Sequence, residues 1–188
     1  MVKKELKKFW DFLQKDTWQS WLVSLVLIVI FIKFIFFPAI SLITGSPLPL
    51  VVVESCSMYH NAEFEGWWDA HSTLYLPYEI NKSDFQNYNF KNGLNKGDVI
   101  IVWGRTTYRE GDVIIFKADT TYPIIHRLVN VEPLSTKGDN NDNQLPIEKV
   151  IPEENVIGKG IVKIPLIGWL KLIFFDIFKP ASQRGLCS

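Results

Sequence analysis

One stretch restricts the fold more than any other. From Trp21 to Ile43 the chain reads WLVSLVLIVIFIKFIFFPAISLI, polar only at Ser24, Lys33 and Ser41. About 20 apolar residues at a helical rise of ~1.5 Å each cover a hydrocarbon core of roughly 30 Å. Residues 21–43 are therefore expected to cross a membrane once. Lys33 breaks the pattern, because a charge inside a span costs a few kcal/mol unless it reaches headgroups or water. With Pro38 close behind, the helix is expected to end near Phe36 and the ammonium to snorkel outward. Lys3, Lys4, Lys7, Lys8 and Lys15 precede the run, and lysines beside a first helix hold that end in the cytoplasm. Residues 1–20 thus read as a cytoplasmic basic segment, and everything after Ile43 as extracytoplasmic. No small-residue cleavage pattern follows, so the run reads as an anchor and not as a cleaved leader.

The 188 residues leave room for one domain beyond the anchor. Twenty basic against twenty acidic side chains give zero formal charge, which removes the electrostatic pull that nucleic-acid binding needs. After a TGSPLPL linker, apolar β-branched runs recur between turn formers: VVVES, GDVIIVW (97–103), GDVIIFK (111–117), YPIIHRLVNVE (122–132) and NVIGKGIVKIP (155–165). Short strands with frequent turns predict a mainly β domain over residues 44–165, a small barrel or sandwich. Residues 135–144, STKGDNNDNQ, read as a turn-rich loop. Residues 60–93 are polar and aromatic with no sustained period, an elaborated loop with a short helix near Phe85. Trp67 and Trp68 inside it either seat in the headgroup region or pack the insertion. The segment 165–179, PLIGWLKLIFFDIFK, is too short and too charged at Lys171 and Asp176 for a second span. Residues 166–188 are expected to be a membrane-interface segment and a tail.

The candidate chemistry begins at VVVESCSMYH (51–60), where an apolar strand meets Ser55, Cys56 and Ser57. A serine hydroxyl is a weak nucleophile and needs a base within hydrogen-bond reach. The chain has three histidines. His60 and His71 fall in the insertion and read as solvated; no metal-ligand spacing surrounds them. His126 alternates with apolar neighbours in PIIHRLV, so a strand would hold its imidazole rigidly. A carboxylate must orient the ring, and the loop KGDNND offers Asp139 and Asp142. Cys56 and Cys187 make no disulfide framework. With Cys187 in the frayed C-terminus, they are expected to stay unpaired.

Four stretches, SCSM, KGDVIIV, GDVIIFK…PIIHR and TKGDNN, resemble the motif boxes of the type I signal peptidases, within them the archaeal and endoplasmic-reticulum type. The resemblance covers the anchor and nearly all of the external domain apart from 60–93. Where most bacterial members carry Lys-Arg, this chain has His126-Arg127, which marks the Ser-His branch. The resemblance implies a membrane-bound serine endopeptidase, without cofactor or metal, that removes N-terminal signal peptides from exported preproteins at the cell membrane. It implies Ser57 as nucleophile, the Ser55 hydroxyl and Ser57 N–H as oxyanion hole, and Met58 near the substrate cleft. Asp139 matches the family's Gly-Asp-Asn-Asn box and Asp142 lies toward a second family acid. Both are expected to contribute, with Asp142 favoured as the partner of His126. Expected partners are preprotein signal peptides, membrane lipids and the protein-export machinery, and not nucleic acid. Two departures stand out: Cys56 replaces the family's glycine, so Cys56→Gly is expected to keep activity, and Leu145 lies where relatives carry the second aspartate. They support the alternative, a non-catalytic membrane-anchored β-domain that binds exported chains.

Overall fold

A computed structural model describes residues 2–120 and 122–187. The chain divides into two units, the first ending at Ile43 and the second beginning at Thr44.

In the first unit, α1 (Val2–Leu13) is followed by α2 (Trp18–Phe31). Thr17 caps α2 by accepting the Ser20 N–H at 3.3 Å, and the Ser20 hydroxyl donates to Leu13 O at 2.8 Å. From Phe31 the helix passes through a π turn (Ile32–Phe36) into α3 (Phe37–Thr44). Together these form a 27-residue helix from Trp18 to Thr44, long and apolar enough to cross a membrane and the only such helix among the described residues. The expected stop near Phe36 is corrected here. Pro38 has no N–H to give and crowds the carbonyl one turn back. The wider π turn, with Phe37 N–H on Ile32 O, absorbs that mismatch and lets the helix continue.

In the second unit six strands form one antiparallel sheet in the order β1-β2-β6-β3-β4-β5. They are β1 (Leu50–Val52), β2 (Val99–Trp103), β3 (Val113–Phe116), β4 (Ile124–Val131), β5 (Leu134–Lys137) and β6 (Val156–Ile164). A mainly β domain behind one N-terminal apolar helix is what the sequence leads one to expect. The repeated Gly-Asp pattern works by the same device twice. Gly97 and Gly111 take φ of +92° and +86°, a region other residues enter at a cost. The following aspartates close the turns, Asp98 accepting Asn95 N–H at 2.8 Å and Asp112 accepting Arg109 N–H at 2.9 Å. Strand β5 was not expected, because its LSTK sequence is largely polar; all four residues are nevertheless buried.

Two further differences concern the segments flanking the sheet. The insertion is folded: α4 (Phe64–His71) and the short α5 (Lys82–Gln86) gather Phe64, Trp67, Trp68, Tyr75, Ile80 and Phe85 into a buried cluster with Val129 of β4. Trp67 and Trp68 therefore pack the insertion, at 0% and 6% exposure. At the other end, α6 (Trp169–Phe175) leads into a tail that is tied down, and Cys187 is disulfide-bonded to Cys56. The expectation of unpaired cysteines is overturned. Lys96, buried at the turn before β2, pairs with Asp176 at 2.7 Å and donates to Gln183 O at 2.6 Å. These contacts bring the tail to the loop after β1. Cross-linking residues 131 apart restricts the unfolded chain by up to ~5 kcal/mol.

Candidate active site

Ser57 lies in the turn that leaves the sheet after β1. The ladder extends one residue past the strand, with Val53 N–H on Asp98 O and Gly97 N–H on Val53 O, at 2.8 and 2.9 Å. Two turns of chain later, Leu94 N–H donates to Met58 O at 2.7 Å. The loop carrying Ser55 to Ser57 is thus pinned at both ends. His126 projects from β4, where it pairs with Ile114 of β3. Its Nε2 lies 2.8 Å from Ser57 Oγ, and Ser57 Oγ lies 3.1 Å from Ser55 Oγ.

The opposite ring nitrogen, His126 Nδ1, meets the Oε1 of Glu148 in a short contact. Glu148 is fully buried and held on every side. The Thr136 hydroxyl donates to its Oε1 at 3.2 Å, and Leu145 N–H donates to its Oε2 at 2.7 Å. Neither Asp139 nor Asp142 reaches the imidazole, and both assignments are corrected. Asp142 is exposed, and a carboxylate in water gains nothing by approaching a buried ring. The loop turns away before it, and the 3-10 turn Pro146–Glu148 brings the buried acid under His126 instead. A faint signal preceded it in the sequence. Leu-Pro-Ile-Glu sets proline at the first position of a helical turn and an acid at the third, where Glu148 closes back on Leu145 N–H.

Asp139 has a different setting. It is wholly buried, and Arg127, its neighbour on β4, grips it through Nε at 2.9 Å and Nη2 at 2.7 Å. The Tyr75 hydroxyl donates to it at 2.9 Å, and His60 Nε2 lies 3.0 Å away. Burial alone would push its pKa up, but the Arg127 charge and the hydrogen bonds from His60 and Arg127 hold it well below the usual carboxylate range. Burial lowers the pKa of His60, favouring neutral imidazole that donates Nε2–H to Asp139. His60 is therefore no solvated loop residue: it stacks on Trp67 with centroids 3.6 Å apart. Phe85 covers the Arg127 guanidinium at 4.4 Å. The insertion supplies four of these groups, His60, Trp67, Tyr75 and Phe85, and completes the shell around Asp139.

That shell reaches the Ser57 loop through Asn140 and Met58. Asn140, next to Asp139, donates its backbone N–H to Ser57 O at 2.8 Å and its side-chain amide to Cys56 O at 3.1 Å. Met58, expected near the substrate, is 1% exposed and packs with Val53, Leu94, Ile100 and Val113. Its sulfur accepts the Asp139 N–H at 3.4 Å. It braces the loop from beneath and presents no surface to a substrate. Gly138 passes so close to the ring that a Cβ there would sit 2.8 Å from His126 Nε2. The nearby Lys137 donates to the carbonyls of Gly138 and Asn141, and its pKa is lowered by burial. The nitrogen within hydrogen-bond reach of Ser57 Oγ is His126 Nε2.

This arrangement can deprotonate a serine beside a buried carboxylate, which is the logic of nucleophilic acyl transfer. No protein-family model matches the chain. Among curated proteins it is similar to the signal peptidase complex catalytic subunit SEC11 of Verticillium alfalfae, 27% identical over 158 residues, 76% of this chain and 73% of that one. The namesake of Fusarium vanettenii matches at the same identity and coverage. That of Lachancea thermotolerans is 26% identical over 155 residues, covering 74% and 73%. The chain resembles the type I signal peptidases of the endoplasmic-reticulum kind, whose catalytic subunits these relatives are named as.

Proposed function

We propose that the chain is a membrane-bound serine endopeptidase that removes N-terminal signal peptides from exported preproteins. The observation that carries the reading is the line of contacts from Ser57 Oγ to His126 Nε2, and from His126 Nδ1 to the Glu148 carboxylate. His126 takes the Ser57 proton as the hydroxyl attacks the scissile carbonyl, and later delivers it to the leaving amine. Glu148 holds the tautomer with Nε2 free to accept, and stabilises the imidazolium. Ser55 Oγ, beside the nucleophile, and the Ser57 N–H donate to the oxyanion, each such donor contributing roughly 3 kcal/mol.

Residues 18–44 anchor the enzyme with the lysine-rich α1 in the cytoplasm and the sheet on the export side. The exposed Leu170, Ile173, Phe174, Ile177 and Phe178 fit a segment lying in the membrane interface. Preproteins and the other subunits of an export complex are its partners. A membrane-impermeant, serine-directed acylating probe tests nucleophile and sidedness together. Added to sealed vesicles with the export side outward, it is expected to label wild type at Ser57 and to leave Ser57→Ala unlabelled. Absence of labelling even after permeabilisation would favour the non-catalytic binding domain, and labelling only after permeabilisation would reverse the topology.

A further inference from the structure

Cys56 stands between the two serines of the site, and its side chain is taken up by the far end of the chain. The Ser55 and Ser57 hydroxyls meet at 3.1 Å, so the residue between them is the only one of the three whose side chain is covalently held. The C-terminal segment also grips the preceding residue. Glu54 receives Lys171 Nζ at 2.7 Å and Lys179 Nζ at 3.1 Å, and Lys179 reaches Glu54 O at 3.3 Å. The tail has its own footing: besides the Lys96–Asp176 pair, Gly185 N–H donates to Asp176 at 2.9 Å and Arg184 Nε to Lys179 O at 2.7 Å. On the opposite side Asn140 fixes the carbonyls of Cys56 and Ser57. The nucleophile loop is thus clamped between the Asp139 shell and the tail, and only the tail's clamp can be released chemically.

We propose that the Cys56–Cys187 bond is a positioning element for Ser57, so that turnover requires the tail to be cross-linked. The proposal rests on the reading of Ser57 as nucleophile. The bond forms by thiol–disulfide exchange with a disulfide-bearing oxidant on the export side. The Cys56 and Cys187 thiols lose two electrons and two protons, and the donor disulfide leaves as two thiols. A chain still in a reducing compartment then carries a loosened nucleophile and cuts slowly until its domain has crossed. Displacement of a nucleophile by about 1 Å is enough to cost ~100-fold in rate. Cys56→Gly, tolerable from the family pattern alone, breaks the clamp and is expected to behave as a reduced enzyme.

The chain has two cysteines, so reduction acts at this one bond. The full-length oxidised enzyme in detergent is assayed on a peptide spanning a signal-peptide cleavage site, before and after dithiothreitol. In the reduction, dithiothreitol closes to its cyclic disulfide as both protein sulfurs become thiols. Expected are a kcat lower by about 100-fold, KM within about twofold, an unchanged far-ultraviolet circular dichroism spectrum, and recovery on reoxidation. Cys187→Ser in oxidising buffer should show the same low kcat and no response to dithiothreitol. A reduced enzyme with kcat within about twofold of the oxidised one overturns the proposal. So does a loss that follows melting of the sheet, which would make the bond only a stabiliser. Cutting by the oxidised enzyme that Ser57→Ala leaves unchanged refutes the nucleophile itself and not the clamp alone.

Discussion

Glu148→Gln is expected to lower kcat by about 10⁴-fold with the fold intact. Glutamine keeps the volume of the side chain but turns one acceptor oxygen into an NH₂ donor. If that donor faces His126 Nδ1, it holds the wrong tautomer, with Nε2 protonated and unable to accept the Ser57 proton. If it faces Leu145 N–H, the turn that places residue 148 loses its closing bond. In neither arrangement is a negative charge left to stabilise the imidazolium. Asp142→Asn, exposed and remote from the ring, should stay within about twofold of wild type by the same reasoning. Measuring kcat and thermal unfolding for both variants separates the roles. Near-normal turnover in Glu148→Gln, with loss in Asp142→Asn, would return the acid to the Gly-Asp-Asn-Asn loop.

Asp139→Asn should instead destabilise the domain. Removing one partner from a wholly buried ion pair leaves Arg127 uncompensated and costs about 3–5 kcal/mol, or roughly 10 °C in Tm for a chain of this size. The Asn140 bonds to Cys56 O and Ser57 O should loosen with it, so activity falls as a consequence of lost structure. The same carboxylate sets an acid limit. Its folded pKa lies below the unfolded value, so its contribution is complete above the unfolded carboxyl range and is lost as pH falls below about 4. His60 acts in the same direction, because its folded pKa is also lowered and the unfolded chain binds its proton first. Denaturant titrations at pH 7 and pH 3 should show wild type losing about 1 kcal/mol more than Asp139→Asn, most of the carboxylate's contribution being lost only at still lower pH. Equal losses in the two would remove Asp139 as the source of the acid sensitivity.

The parts of this molecule legible in its sequence are those fixed by local pattern. The apolar run after Lys15 specifies the long apolar helix, and each Gly-Asp turn followed by Val-Ile-Ile specifies a strand. Ser57 and His126 were marked by their motifs, and the fold brings them to 2.8 Å. What escaped depends on contacts between distant segments. Glu148 lies 22 residues past the histidine in a stretch with no box of its own, and only burial beneath the ring gives it meaning. The motif aspartate is locally an ordinary turn residue; Arg127, Tyr75 and His60, up to 79 residues away, make it a core brace. The insertion carries no helical period that α4 would advertise, because its aromatic residues pack around Phe85 on several sides. Nor could spacing pair Cys56 with Cys187, since the tail's approach relies on Lys96 and Asp176, 80 residues apart.

We propose that Ser57, activated by His126, cuts signal peptides from preproteins. It is tested most directly by incubating the detergent-solubilised, oxidised chain with a purified preprotein and sequencing the N-terminus of any shortened product. Wild type is expected to release one product that begins directly after a small residue at the end of the signal peptide, and Ser57→Ala to release none above background. Cleavage that survives in Ser57→Ala, or an intact preprotein after prolonged incubation with wild type, would contradict it.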